Sequence, residues 1–383
     1  MAAQRRMRAV FMRGGTSKAI MFRREDLPAD VAQWDPIFSA ALGSPDPFGR
    51  QLNGLGGGIS SLSKVCVIGR SDRPDADVDF TFAQVAVDSA IVDYASNCGN
   101  MSSAVGPFAV DEGMVNLPVE DGLVTVRIFN TNTQRVILAR FAVEGSTARV
   151  DGPLAIAGVA GTGAPIEVEF LSPGGSKTGR LLPTGNSADV LPVEGFGMVD
   201  VSLVDAGNPC VFVPASALGV RGGESPDELE ARADFLDVTE SIRRKAAVVM
   251  GLATDAGSAP LSIPKVAIVA ASMETTTLSG ETVPAKEVDV VVRMMSMGRP
   301  HRAVPVTGAL CLAAACRIPG TIPGQLLSTA PNGPIRIGHP SGRVLADARM
   351  SYADGIITVD SASLHRTARR LFEGHVFVPQ APR

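Results

Sequence analysis

Two apolar segments about 200 residues apart most constrain the fold of this chain. The first is Ala104–Val110, and the second, Val306–Cys316, is rich in alanine. Each contains or follows a small polar residue and a glycine, and the second ends before Pro319-Gly320. A helix that is apolar on every side must be buried on every side. The repeat therefore predicts a duplicated unit with one buried helix in each half.

Cys98 lies in the stretch Asn97-Cys98-Gly99-Asn100, at the expected N-terminus of the first of these helices. Unpaired backbone N–H groups and the helix dipole favour negative charge there, so this thiol is suited to exchanging a proton near neutral pH. The same N–H groups suit a substrate carboxylate. The alternative interpretation is a small buried residue at a tight turn. Alignment of the two segments places Thr307 opposite Cys98, which predicts a site with one thiol.

Composition and charge favour an enzyme of small molecules. The chain has 383 residues, enough for two domains with full cores. Its formal net charge of −4 gives no basic field to attract nucleic acid or an anionic membrane. Apolar runs stay well short of the ~18 residues that a membrane span needs, and no secretory leader is recognised. We therefore expect a cytoplasmic protein with no nucleic-acid and no membrane partner.

Cysteine and histidine spacing predicts neither disulfides nor a metal site. No CxxC, HxH or HxxxH pattern occurs among the cysteines and histidines. The glycine-rich stretches Gly54–Gly58 and Gly174–Thr178 lack the complete spacing of nucleotide-binding loops. The sequence thus predicts no metal and no other cofactor. The residues concerned are Cys66, Cys98, Cys210, Cys311, Cys316, His301, His339, His365 and His375.

The chain is predicted to be rich in β-strands, since it carries 40 glycines and 27 prolines and has few long helical patterns. A second half is expected to begin near Pro183. Helices are predicted at Pro36–Leu42, Asp227–Ala233 and Thr239–Met250. Strands are predicted at Ala9–Met12, Val65–Ile68, Val78–Val87, Leu123–Asn130, Thr133–Val143, Gly197–Val204, Cys210–Val213, Val266–Ala270 and Val288–Arg293.

Lysine is scarce here: six of the 35 basic residues are lysines. Arginine cannot lose its proton in a protein, whereas a desolvated lysine can. Lys64 follows the glycine-rich stretch 54–63 at the start of a predicted strand. We therefore predict that Lys64 acts as a base, the alternative being a solvated lysine at a strand end.

Seven motifs occur in order between residues 12 and 342. They are Met12–Lys18, Gly43–Pro47, Gly54–Gly57, Ser63–Val65, Asn97–Asn100, Ser296–Gly298 and Gly338–Gly342. Together they resemble the methylaconitate isomerase (PrpF-like) family, and the combination is far more specific than any one motif.

The resemblance implies an α+β fold of the diaminopimelate-epimerase-like type. Two pseudo-symmetric domains are expected, each a curved, mostly antiparallel sheet around a central helix, with the active site in the cleft between them. The N-terminal domain would span residues 1–182, with a C-terminal strand, 370–383, crossing back to it. The C-terminal domain would span residues 183–369.

The resemblance also implies a cofactor-independent isomerase that moves a proton along an unsaturated di- or tricarboxylate. The catalytic lysine and cysteine of the family fall on Lys64 and Cys98. Epimerases of the wider fold pair two cysteines, and Thr307 departs from that pattern. We expect Lys64 to act as the base and Cys98 to return or accept the second proton, with the reverse assignment left open.

The remaining site residues are expected to hold carboxylate or enolate oxygens by side chain or backbone N–H. Arg13 is the best candidate for a bidentate carboxylate clamp, the alternative being an exposed charge at a strand end. Gly14-Gly15 and Gly56-Gly57 would bring the backbone close to carboxylate oxygens. The substrate-binding set is Arg13, Ser17, Gly57, Asn97, Gly99, Asn100, Ser102, His301, Thr307 and Gly308.

The substrate prediction depends on Met297–Gly308, which resembles the 4-oxalomesaconate isomerases. Arg299, His301 and Arg302 in this segment would suit a third carboxylate. We therefore expect 4-oxalomesaconate as the substrate, with 2-methylaconitate as the alternative. An amino-acid racemase and a non-catalytic carboxylate binder stay open as other classes, as does a homodimer.

Overall fold

The computed structural model describes residues 4–95, 97–116, 120–328, 333–353 and 355–379. β-Strands dominate, as predicted. In chain order they are β1 Arg5–Gly14, β2 Ser17–Arg23, β3 Lys64–Arg70, β4 Val78–Val85, β5 Val92–Asp93, β6 Gly122–Asn130, β7 Arg135–Glu144, β8 Thr147–Ala148, β9 Ile166–Leu171, β10 Asp189–Val193, β11 Gly197–Asp205, β12 Pro209–Pro214, β13 Lys265–Ala271, β14 Thr275–Thr276, β15 Thr282–Val283, β16 Val290–Ser296, β17 Arg299–Pro300, β18 Ile335–His339, β19 Gly342–Ala353, β20 Ile356–Arg366 and β21 Ala368–Val378.

The helices confirm the five predicted ones, with shifts at their ends, and a sixth, α6, was not predicted. They are α1 Trp34–Leu42, α2 Gly99–Asp111, α3 Pro226–Glu230, α4 Ala233–Val249, α5 Val306–Arg317 and α6 Ile322–Leu326. The segment predicted as one helix at Asp227–Ala233 is shorter, because α3 ends at Glu230 and α4 starts at Ala233. No helix in the described ranges is long and apolar enough to cross a membrane.

The chain divides into two compact units. Unit 1 comprises the chain up to Ala155, the segment Gly161–Val168 and the chain from Arg366 onward. Unit 2 comprises Ile156–Ala160 and Glu169–His365. The second unit thus begins earlier than the expected residue 183, and the return to unit 1 comes before residue 370. The C-terminal strand β21 pairs antiparallel with β1 inside unit 1.

The sheet of unit 1 has the strand order β21-β1-β2-β3-β4-β6-β7. Neighbours are antiparallel except for the pairs β2–β3 and β4–β6, which are parallel. A parallel pair needs a crossover connection. Helix α1 lies in the first crossover and α2 in the second.

Unit 2 repeats this arrangement with the strand order β10-β11-β12-β13-β16-β18-β19. Its parallel pairs are β12–β13 and β16–β18. Helices α3 and α4 lie in the first crossover, and α5 and α6 in the second. The duplication predicted from the two apolar segments is therefore present in the strand order of both units.

Helices α2 and α5 are the central helices of their units. In α2 every residue except Asp111 is buried, and in α5 every residue except Arg317. Helix α2 packs against β1, β2, β3, β6, β7 and β21, and α5 packs against β11, β12, β18, β19 and α6. Contact on all sides explains why these two sequences carry no polar face.

The sequence does not predict strands β2, β19 and β20, for physical reasons. In β2 the residues from Ala19 to Phe22 are all buried, so the strand lacks the alternation that identifies one. Strand β19 alternates between buried and exposed positions, but its Ala, Arg and Asp residues have low β-propensity. Pairing with its neighbours in the sheet, and not local preference, forms β19.

Candidate active site

Cys98 is the N-cap residue of α2, as the sequence predicts. Its backbone is extended (φ −113°, ψ 93°) and the residue is 9% exposed. The Ser102 amide and hydroxyl both donate to the Cys98 carbonyl oxygen, at 2.9 and 3.1 Å. Cys98 therefore stands at the N-terminus of a helix whose residues are all buried except Asp111. The Ser102 hydroxyl donates within the helix, which does not favour its predicted contact with substrate.

Lys64 is the first residue of β3 and is 7% exposed, so it is not the solvated strand-end lysine of the alternative interpretation. Its Nζ donates to Gln84 Oε1 at 2.5 Å and lies 5.0 Å from the centroid of the Phe82 ring. Gln84 Nε2 donates to the carbonyl oxygens of Ser60 and Ser63, which fixes the amide with its oxygen toward the lysine. Both contacts stabilise positive charge on Nζ.

Cys66 is a buried thiol on the same strand as Lys64, and sequence reasoning gave it no role. It is fully buried on β3, two residues from Lys64 and hence on the same face of the strand. Burial raises the pKa of the Cys66 thiol well above its usual value, Cys98 raises it further and Lys64 lowers it. The Cys66 thiol therefore stays protonated. Helix α2, which Cys98 caps, packs against β3, which Lys64 begins, so the two predicted catalytic residues belong to adjoining elements of unit 1.

The β1–β2 hairpin lies directly against the N-terminus of α2. The Thr16 amide donates to Asn100 Oδ1 at 3.4 Å, and Asn100 Nδ2 donates to Thr16 Oγ1 at 3.1 Å. A side chain at Gly15, whose φ is +52°, would overlap Asn100 Oδ1, and one at Gly14 would approach the Asn100 carbonyl oxygen. These glycines allow the hairpin to contact the helix, whereas the sequence suggested that they approach substrate oxygens.

Arg13 is half-buried at the end of β1 and is partly used by the fold. Its Nη1 donates to the Gly15 carbonyl oxygen at 3.0 Å and to Thr367 O and Oγ1 at 2.9 Å. Burial lowers the Arg13 pKa, and the charge of Arg369 lowers it further. Two neighbouring cations attract an anion, so a carboxylate clamp at Arg13 would use the N–H groups other than Nη1.

Arg366 is a buried cation that sequence reasoning missed. Its Nε donates to Asn100 Oδ1 at 3.2 Å, and burial lowers its pKa to about 10. Because arginine only donates, it fixes the Asn100 amide with Oδ1 toward the guanidinium. No sequence signal connects these two residues, which are 266 positions apart.

The other predicted residues of unit 1 differ in their surroundings. Asn97 is buried, and its Oδ1 accepts from Asn130 Nδ2 at 3.2 Å. Ser17 is 1% exposed in the hairpin, opposite Gly14. Gly57 lies on an exposed loop, where a side chain would meet Leu62. The adjoining Gly58 amide donates to Oε1 of the buried Gln51 side chain. A glutamine side chain therefore helps to hold this glycine-rich loop in place.

In unit 2, Thr307 and Gly308 occupy the first turn of α5. Asn208 Nδ2 donates to Thr307 Oγ1 at 3.0 Å, which leaves the threonine hydroxyl hydrogen able to donate. A side chain at Gly308 would overlap Met294 Sδ. His301 is half-buried before the helix, and its Nδ1 accepts from the Ala303 amide at 3.0 Å, so Nε2 carries the ring proton.

The expectation that Arg299 and Arg302 serve a third carboxylate is not supported by their contacts. Arg299 Nη1 lies 2.8 Å from Glu230 Oε1, and Arg302 Nη2 lies 2.7 Å from Asp227 Oδ1. Both guanidinium groups are exposed at the surface, where their charge is already paired with α3. The acidic partners are about 70 residues away in sequence, so the short segment alone could not reveal them.

Across the described residues, no group of three or more His, Cys, Asp or Glu side chains is arranged to hold a metal ion. Independence from cofactors stays a prediction.

Comparison with known proteins identifies close relatives. The model of the PrpF protein family matches residues 4–379. The chain is 42% identical to a 3-methylitaconate isomerase of Eubacterium barkeri, with 100% of this chain and 99% of the relative covered. It is 40% identical to a (4E)-oxalomesaconate Δ-isomerase of Novosphingobium sp. (strain KA1), with 96% of each covered. It is 36% identical to a 2-methyl-aconitate isomerase of Shewanella oneidensis, with 98% of each covered.

Solved structures agree. A crystal structure of methylitaconate Δ-isomerase, 41% identical, superposes with a TM-score of 0.77 over 98% of this chain and 96% of that one. A hydroxyproline epimerase from Agrobacterium vitis, 12% identical, superposes with a TM-score of 0.58 over 99% of this chain and 95% of that one. The second similarity concerns the fold alone and confirms the expected epimerase-like class.

Proposed function

We propose that this chain, which belongs to the PrpF family, shifts a carbon–carbon double bond along a branched, unsaturated polycarboxylate without a cofactor. The chain is an isomerase; the substrate and the roles of individual residues are the proposal. The observation that supports it most is that Lys64 begins β3 and Cys98 caps α2, two elements of unit 1 that pack against each other. A double-bond shift needs one group to remove a proton and another to supply one.

In the proposed mechanism, Lys64 removes a proton from the allylic carbon of the substrate. The Gln84 carbonyl oxygen and the Phe82 ring stabilise the charge that Nζ gains in this step. The electrons move into a dienolate held by a neighbouring substrate carboxylate or carbonyl. Cys98 then delivers a proton to the carbon at the other end of the three-carbon system, and its thiolate is stabilised by the N-terminus of α2.

The following backbone and side-chain donors are proposed to hold the oxygens of the substrate. In unit 1 they are the backbone N–H groups at the start of α2 and the N–H groups of Arg13 other than Nη1. In unit 2 they are the Thr307 hydroxyl and the Gly308 N–H, with His301 Nε2 as a further donor. The amides of Asn97 and Asn100 would orient this machinery, because both are fixed by contacts within unit 1.

Two substrates are favoured by separate observations. Segment 297–308 resembles the 4-oxalomesaconate isomerases, and a 40% identical relative carries that name. This substrate would place the chain in aromatic-acid breakdown. The 42% identity over the whole chain favours 3-methylitaconate instead. 2-Methylaconitate is the third candidate.

The test is conversion in D₂O, followed by NMR, of 4-oxalomesaconate, 3-methylitaconate and 2-methylaconitate by chelator-treated, desalted protein. We expect one of them to be isomerised with deuterium at a single carbon, and the double variant Lys64→Met/Cys98→Ser to be inactive. Failure to convert any of the three would refute the proposal. Binding without deuterium exchange would indicate a non-catalytic carboxylate binder.

A further inference from the structure

We propose that Lys265 of unit 2 is a substrate-binding residue that holds one carboxylate of the polycarboxylate; this inference rests on the proposed function. All six lysines lie in the described ranges, and two of them, Lys64 and Lys265, are buried, each 7% exposed. Burying an ammonium group is costly, so lysine is seldom retained inside a protein without a role.

The two lysines occupy equivalent positions of the duplicated unit. Lys64 begins β3 and Lys265 begins β13, the third strand of each repeat, counted from β1 and β11. Each of these strands runs parallel to the strand before it and antiparallel to the strand after it. The two strands have the same length and the same order of buried and exposed positions. The repeat therefore carries its lysine in both copies.

The side chains of the two lysines also make equivalent contacts. Lys64 pairs across the sheet with Gln84, whose side chain accepts from Nζ. The register between β13 and β16 pairs Ala267 with Met294, which places Lys265 opposite Ser296. Lys265 Nζ donates to Ser296 Oγ at 3.4 Å and to the Ser262 carbonyl oxygen at 3.3 Å. In each copy, a side chain on the next strand orients the buried amine.

The residue at the start of the central helix differs between the two units, and this difference suggests a role for Lys265. Lys265 pairs with Cys210 of β12, close to Asn208, which donates to Thr307 at the start of α5. In the sequence alignment Thr307 stands opposite Cys98, although Cys98 is the N-cap of α2 and Thr307 lies in the first turn of α5. Threonine is far too weak an acid to exchange a proton near neutral pH. The second copy has thus kept the lysine without the thiol, which suits a fixed cation rather than half of an acid–base pair.

The turn beside Lys265 supports a functional role. Met297 and Gly298 connect β16 to β17 and have φ values of +55° and +76°. Two positive φ values are typical of a type I′ hairpin turn, in which methionine is unfavourable. Strained residues concentrate at functional sites. This turn fixes Ser296, the partner of Lys265, at the end of its strand.

Lys265 is also a better candidate for a carboxylate partner than Arg299 and Arg302. Lys265 is buried, whereas the two arginines are exposed and paired with acidic residues. An exposed ion pair contributes little, whereas removing one partner of a buried charge pair weakens binding strongly. We therefore expect Lys265 to contribute to substrate affinity more than to the proton-transfer step.

The test compares Lys265→Gln with the wild type. The glutamine side chain stays polar and of similar size but carries no charge, so the variant tests the charge of Lys265. Binding of propane-1,2,3-tricarboxylate is measured by calorimetry, and KM and kcat with the substrate identified in D₂O. We expect affinity to fall on the order of 30-fold or more and KM to rise in parallel, with kcat changed less than about threefold.

Three further proteins complete the experiment. Lys245→Gln, at an exposed lysine of α4, controls for loss of net charge and should bind like the wild type. Ser296→Ala keeps the lysine but removes the hydroxyl that orients it, and should weaken binding less than Lys265→Gln does. Lys265→Arg restores a cation and should recover part of the affinity, which also guards against misfolding of Lys265→Gln.

The outcomes separate the two proposals. If the wild type binds the tricarboxylate and Lys265→Gln binds it equally well, the role of Lys265 is refuted and the proposed function stands. A fall in kcat with unchanged affinity and KM would also refute it. If the wild type neither binds the tricarboxylate nor converts any of the three substrates, the proposed function fails and the role of Lys265 fails with it.

Discussion

At the scale of single residues, Lys64 is distinguished by the amide that faces it. Glutamine can present either an oxygen or a nitrogen, and the carbonyls of Ser60 and Ser63 hold Gln84 with its oxygen toward Nζ. A base must stabilise the proton it accepts, and this oxygen is in place before the reaction begins. The sequence identifies the lysine but not Gln84, because their contact depends on the register between β3 and β4.

Substitution of Lys64 by methionine tests its role as the base. Lys64→Met keeps the apolar stem and fills the buried site, so the protein should fold. It removes the nitrogen, so kcat should fall by at least about 10²-fold while substrate binding persists. Steady-state kinetics and calorimetry measure the two effects, and Lys286→Met at an exposed lysine is the control. Turnover close to wild type in Lys64→Met would exclude the role.

Substitution of Cys98 tests the second proton transfer, and substitution of Cys66 is the control. Cys98→Ser keeps a hydrogen-bonding group of similar size but replaces the thiol with a much weaker acid. Deuterium incorporation at the carbon that Cys98 serves should slow by about 10²-fold or more. Cys66→Ala removes a thiol that burial keeps protonated and should retain most activity. Equal losses in the two variants would contradict the assignment of Cys98.

At the scale of elements, the contact between the β1–β2 hairpin and α2 positions the site in unit 1. Gly15→Ala should place a methyl group against Asn100 Oδ1 and separate hairpin from helix. Gly145→Ala is the control, because Gly145 has a similar φ of +56° and nothing within 4 Å of the added carbon. The control should lose about 1 kcal/mol of unfolding free energy from backbone strain. Gly15→Ala should lose about 1–3 kcal/mol more, from overpacking.

Urea unfolding of the two variants measures these losses, and kinetics show whether the hairpin matters for activity. We expect Gly15→Ala to lower kcat by at least about tenfold, since a small misplacement of catalytic groups is costly. Gly145→Ala should keep wild-type kcat. Equal stability and activity in both variants would show that the close approach of Gly15 to α2 is not required.

At the scale of the whole molecule, the sequence predicts the features that are local. The central helices follow from their glycines and unbroken apolar runs, and Lys64 and Cys98 from the motifs around them. The boundary of the units at Glu169 and the return of the chain at Arg366 are not local properties. The equivalence of Lys265 and Lys64 is also hidden, because it becomes visible only when the strand orders of the two units are compared.

The contacts of charged side chains also could not be predicted from the sequence. Arg302 is 75 residues from Asp227, and Arg366 is 266 residues from Asn100. A motif reveals which charges exist, but only the folded chain reveals which are paired at the surface and which are buried. The contacts of Arg299 and Arg302 do not support the substrate argument from the sequence, because both pair with acidic residues of α3.

Three buried thiols predict how the stability of the whole molecule responds to alkaline pH. Burial raises the pKa values of Cys66, Cys311 and Cys316; Cys210 adds to the effect at Cys311 and Asp289 to that at Cys316. In the unfolded chain these thiols ionise near pH ~8.5, whereas in the folded protein they keep their protons. Unfolding therefore releases protons above that pH, and the stability present below it is lost as the pH rises. Each thiol contributes a slope of up to about 1.4 kcal/mol per pH unit.

Urea unfolding between pH 7.5 and 10 tests this expectation on the wild type and on the triple variant Cys66→Ala/Cys311→Ala/Cys316→Ala. The variant begins less stable, because each substitution removes a buried sulfur atom, so the slopes and not the absolute free energies are compared. The unfolding free energy of the wild type should fall more steeply, by up to about 4 kcal/mol per pH unit in excess at the alkaline end. Parallel slopes would mean that the thiols ionise as readily in the folded protein as in the unfolded chain, and that burial in the two units does not hold their protons.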